Sequence, residues 1–144
     1  MNQLNWGNPV EGWQLSISVD KDKFLLGEPI YVTMVTKNIS NKDLRIPASS
    51  KWTTYWFHLR DEFSKVPLTR FGRRMEENRG EGSYAEPEIP PDDTIVLEMP
   101  VSRLFDLSLS GAYTLEVSRM VFRQGTSEEV PLVSNKISFE IVEE

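Results

Sequence analysis

The sequence predicts an all-β domain, an antiparallel β-sandwich of about 7–9 strands with one short helical turn before the penultimate strand. Apolar residues recur at every second position in run after run, and clusters of Gly, Pro, Asn and Asp cut the runs apart. No long helical periodicity alternates with the strands, as a parallel α/β sheet would require.

The first run places Trp13, Leu15, Ile17 and Val19 on one face and Gln14, Ser16 and Ser18 on the other. A turn at Leu26-Gly27-Glu28-Pro29 leads to a strand from Ile30 to Asn38, with Ile30, Val32 and Met34 inward. Pro29 has no N–H to give a ladder, so it belongs at the strand's first residue. Asn38 to Asp43 reads as a polar turn before a short strand around Leu44 to Ile46, which Pro47 ends. Trp52 to Arg60 is the next strand, with aromatic weight on both faces and either Trp56 or Phe57 inward according to register. Asp61 to Lys65 then turns into a short strand at Val66 to Leu68.

Between Arg70 and Asp93 the pattern fails: three Gly, three Pro and many charges leave no sustained apolar period. A long exposed loop over 70–93 is expected, with one helical turn from Arg73 to Gly80 as the alternative. Alternation returns through Ile95, Leu97 and Met99, and Ser102 to Ser108 suits a short helix capped by Ser102 with Leu104, Phe105 and Leu107 packing down. The penultimate strand runs from Gly111 to Phe122 with Tyr113, Leu115 and Val117 on one face. After a turn at Gln124 to Glu129, the last strand is Lys136 to Val142. The whole, 1–144, reads as a single domain with residues 1–11 as an N-terminal extension, long enough to bury roughly 70% of its unfolded surface.

Charge narrows the partners. A formal net charge of -6 with no Lys/Arg run repels phosphate backbones and anionic headgroups, so nucleic acid is excluded as a partner. No apolar stretch approaches the ~20 residues that span a bilayer. The opening MNQLNWGNPVEG has neither a basic start nor an apolar run, so the chain as written is expected in the cytoplasm, or in the periplasm or outside the cell if a leader was trimmed ahead of Met1. With no cysteine there is no disulfide, thiolate metal site or cysteine nucleophile.

Catalytic chemistry finds little to work with. Nucleophilic and acid–base sites converge His, Cys or carboxylates, and His58 is the chain's one histidine. Acidic pairs such as Asp92-Asp93 lack the spacing of a calcium loop, so no metal and no cofactor is implied. Binding chemistry is better supplied. Trp52, Tyr55 and Tyr84 are candidates for stacking on a sugar or anchoring a partner protein. Arg73, Arg74 and Met75, on the expected loop, are candidates for contacting a partner's carboxylates.

Three segments carry a resemblance: Phe24 to Ile30 leading into the second strand, Val35 to Ser40 ending it, and Ser110-Gly111-Ala112-Tyr113-Thr114-Leu115 opening the penultimate strand. Together they resemble bacterial immunoglobulin-like domains, and the last looks like a tyrosine corner, with Gly27, Gly111 and Tyr113 as structural residues. Leu115 stands where an antibody domain has its second Cys. The layout is similar to the intracellular proteinase inhibitor family, which implies that Arg73-Arg74-Met75 could be offered to a protease from the 70–91 loop. The leading expectation is a non-enzymatic protein-interaction module; an inhibitor and a carbohydrate-binding module are the alternatives.

Overall fold

Ten strands and two short helices form the regular part of the computed structural model, which describes residues 4–79 and 84–143. In chain order they are β1 (Trp13–Ser18), β2 (Lys23–Leu25), β3 (Tyr31–Asn38), β4 (Leu44–Arg45), β5 (Tyr55–Arg60), α1 (Arg70–Glu77), β6 (Glu88–Ile89), β7 (Thr94–Pro100), α2 (Val101–Leu104), β8 (Gly111–Phe122), β9 (Glu129–Val133) and β10 (Ile137–Val142). The fold is all-β in class. One sheet has the order β1-β3-β7, a second the order β2-β10-β8-β5 with β9 added to β8, and β4 pairs with β6 alone. The second sheet is mixed rather than antiparallel throughout, because β2 runs parallel to β10 with Ile141 beside Phe24.

Alternation decides which residues enter the core. Leu15 and Ile17 of β1 and Val32 and Met34 of β3 share one apolar cluster with Leu59 of β5, Leu115 and Val117 of β8 and Phe139 of β10. Each such side chain, fully buried, stabilises the fold by roughly 1.5–3 kcal/mol before entropy is counted. Two of the buried polar residues join separate elements. Asn38 gives its amide N–H groups to the Lys42 and Ile89 carbonyls and accepts from Ser40, so it fastens the turn after β3 to β6. Arg119 of β8 reaches across to Thr36 of β3 and donates to the Tyr55 hydroxyl and the Pro47 carbonyl.

The Tyr113 hydroxyl donates to the Leu109 carbonyl at 2.6 Å, tying the start of β8 to the chain four residues upstream. Gly111, at φ +138°, occupies the left-handed half of backbone space that the turn into β8 needs. Gly27, at φ +88°, does the same between β2 and β3.

Several elements differ from the sequence expectation, each for a local reason. The 70–93 segment is not one long exposed loop: residues 70–77 are helical, β6 follows at Glu88–Ile89, and residues 80–83 lie outside the described residues. Helix α1 extends over Arg70–Glu77 because Thr69 caps it, accepting from the Gly72 N–H, and because Phe71 and Met75 share one face. The second helix is Val101–Leu104, and Ser102 is not its cap; its hydroxyl accepts from the Ile30 N–H instead. The strand expected from Trp52 begins only at Tyr55, since the Thr53 and Thr54 amides and the Thr54 hydroxyl all bond to the Ser50 carbonyl and fold 50–54 into a turn. The turn expected at Gln124 to Glu129 ends in β9, despite Pro131. That residue faces Met120 at a position where β8 asks for no N–H, and β9 has no strand on its other side among the described residues.

Candidate functional site

Strand β5 borders the second sheet, and its far side opens onto a groove of about 730 Å³. Leu59 of β5, Val66, Leu68, Met75 and Gly72 of α1, and Leu104 and Phe105 supply its apolar walls. Arg60, Lys65, Glu76, Arg79 and Glu116 supply the charge at its rim.

Each wall is held by backbone pairing or by a specific side chain. At one end Asp61 accepts from the Phe63 and Ser64 amides, both at 2.8 Å, closing a turn that brings Val66 N–H to the Leu59 carbonyl at 3.1 Å. At the other end Arg79 donates to the Thr53 and Tyr55 carbonyls, stacks 4.4 Å over the Trp56 ring and pairs with Glu76. Along the back, the Thr69 amide and the Phe105–Leu68 bridge join α1's approach to α2. Gly72 sits where α1 touches α2; a Cβ there would lie 2.1 Å from the Leu104 carbonyl oxygen.

The two amides at Asp61 hold its carboxyl below the usual range. Since its folded pKa lies under the unfolded value, the turn's contribution is complete above ~pH 3.9 and is lost as pH falls through the folded pKa. We expect acid to loosen the groove's Val66 wall before the sheets unfold. Asp61→Asn should remove that step, and amide exchange of Val66 across pH 2–5 measures it.

Of the expected site residues, Trp52 and Met75 both line the groove and the others lie apart from it. Tyr55 is buried, 1% exposed, with its hydroxyl against Arg119, so it presents no platform. Trp52 is half-buried, edge-on to Phe71 at 4.9 Å, with Lys51 and Arg103 over its ring, so it cements α1 to the turn before β5. Tyr84 is exposed beside a separate shallow cavity of about 200 Å³. Arg73 and Arg74 are exposed but helical, where a protease cleft takes an extended segment. Met75 alone of that triplet lines the groove.

His58 and Ser118 face each other on the outer side of the sheet, Nε2 to Oγ at 3.1 Å. His58 also lines the groove, but the pair shows no carboxylate bond orienting the ring among the described residues, and the amides around them are spent on β pairing. No cluster of three or more His, Asp or Glu able to hold a metal ion occurs among the described residues, and no helix there is long and apolar enough to cross a membrane.

Gly72 and the Val66 to Leu68 wall carried no site signal in the sequence. Thr69 ahead of the Phe71/Met75 spacing was the available signal for the helix. No protein-family model matches the chain, and no curated protein is significantly similar to it in sequence.

Proposed function

We propose that the chain is a non-enzymatic protein-interaction module on an immunoglobulin-like β-sandwich, binding its partner in the groove between β5 and α1. The sandwich is supported by the core the two larger sheets share and by the Tyr113 back-bond. The observation that carries the binding reading is the groove: an apolar concavity with charges at its rim, which is the usual make-up of a recognition site. Covering apolar surface there contributes on the order of 25 cal/mol per Å².

A displayed library of random dodecapeptides, selected on the folded protein, tests this. Most binders should lose at least tenfold affinity for Met75→Glu, which puts a charge on the groove wall, and should be indifferent to Tyr84→Ala outside it. Binders indifferent to Met75→Glu would move the site elsewhere.

A further inference from the structure

Resting on the groove as the binding site, we infer that its occupant is an extended peptide that adds to β5 as a further strand and carries an acidic residue at the Arg60–Lys65 end.

The backbone of β5 sets the first half of this. In an antiparallel ladder the N–H and C=O of one residue point to one neighbour and those of the next residue point away. Val117 of β8 directs both of its groups to Ser134, away from β5: its carbonyl accepts from the Ser134 amide and its N–H donates to the Ser134 hydroxyl. The β8 residues facing β5 are therefore Glu116 and Ser118, whose partners are His58 and Trp56. It follows that Tyr55, Phe57 and Leu59 turn their backbone groups outward, on the side where Phe57 and Leu59 line the groove. Two of the outward carbonyls are occupied, Tyr55 by Arg79 and Leu59 by the Val66 amide. The N–H and C=O of Phe57, between them, have no backbone or side-chain partner among the described residues.

The chain itself begins to cover this edge and then leaves it. Lys65 forms an antiparallel bridge with Arg60, and Val66 makes the next bond. Pro67 follows, with no N–H to continue, and Leu68 instead pairs with Phe105. The stretch between the occupied Leu59 and Tyr55 carbonyls is about 13 Å at ~3.3 Å per residue, room for about three residues of a guest strand centred on Phe57.

Other strand edges offer less. The outer edge of β1 is bonded by Gly7 and by Asn135. That of β7 has no strand partner among the described residues, but neither of the two cavities described above touches it. At β5 an open donor–acceptor pair and an apolar pocket coincide, the combination that strand-adding recognition uses for affinity and for side-chain choice.

Charge sets the second half. Arg79 is engaged with Glu76 and two carbonyls. Arg60 and Lys65, side by side at the far end, form no ion pair among the described residues. A carboxylate on the guest would neutralise them, while a basic guest would be repelled.

The experiment takes the Met75-sensitive dodecapeptides from the library above and resynthesises the tightest with each backbone nitrogen methylated in turn. Strand addition predicts at least tenfold loss at the one position whose N–H meets the Phe57 carbonyl and tolerance at its neighbours, together with slowed exchange of the Phe57 amide in the complex. Tolerance of methylation everywhere, or an unchanged Phe57 amide, overturns strand addition while leaving the groove as the site. If no selected peptide is Met75-sensitive, the groove reading falls and this inference with it. Repeating the selection on Arg60→Glu/Lys65→Glu should replace acidic residues by basic ones in the winners; an unchanged acidic preference overturns the charge assignment.

Discussion

Gly72→Ala destabilises the protein by about 2 kcal/mol, although the same change in an ordinary helix interior is favourable by ~1 kcal/mol. The sign reverses because the new methyl would meet the Leu104 carbonyl oxygen at 2.1 Å and the Leu104 carbonyl carbon at 3.0 Å. That oxygen cannot simply swing aside, since it accepts from the Thr69 amide at 2.9 Å at the cap of α1. Relief requires α1 to lift from α2, and Phe71 and Met75 lift with it. Urea unfolding should show the lowered midpoint, and amide exchange over Arg70–Glu77 should rise more than exchange in the sheets. Arg73→Ala, exposed on the same helix, should stay within ~0.5 kcal/mol of wild type. A Gly72→Ala protein as stable as the parent would mean that α1 and α2 do not approach this closely. Because α1 is one wall of the groove, the variant should also weaken every peptide that Met75→Glu weakens.

Arg119→Ala should cost more still, about 3–5 kcal/mol, by opening a cavity and withdrawing three hydrogen bonds at once. Arg119 is 1% exposed and has only neutral partners, the Tyr55 and Thr36 hydroxyls and the Pro47 carbonyl; its Nε has none. Burial pulls its pKa down, yet guanidinium keeps its proton at any ordinary pH, so the core carries a cation without a carboxylate among its bonded partners. Arg119→Met separates the contributions. It fills most of the volume and removes the desolvated charge, and hydroxyls can rotate to new partners. We expect it to lose at least ~1.5 kcal/mol less than Arg119→Ala; equal losses would show that the three bonds, and not volume, dominate.

Arg119→Lys adds a pH signature that the parent lacks. A buried lysine has its folded pKa below the unfolded ~10.4, so between the two values the unfolded chain binds more protons and stability rises with pH. Urea midpoints from pH 7 to 10 should climb for Arg119→Lys relative to the parent. Parallel pH profiles would place that side chain in water rather than in the core.

Legibility in the sequence followed the range of the forces involved. The strands β1, β3, β7, β8 and β10 could be read because their alternation is written in consecutive residues and each buries one face. Short elements without that redundancy were missed or misplaced. Helix α1 has eight residues, a glycine within it and two apolar side chains on its packed face, so its periodicity is too brief to separate from a charged loop. Tyr55 looked like a platform because an aromatic residue in a strand reads the same whichever face it takes; Arg119, distant in sequence, fixed it inward.

What the sequence determined by itself is the all-β class and most of the core, because burial of alternate side chains is a local pattern that any register must satisfy. The tertiary structure alone decided the candidate site. The groove exists because Pro67 turns the chain off β5, Arg79 anchors the segment after α1, and Gly72 lets α1 press on Leu104. Those contacts join residues with no shared periodicity, and the Phe57 backbone, without a partner among the described residues, leaves no mark on the identity of its side chain.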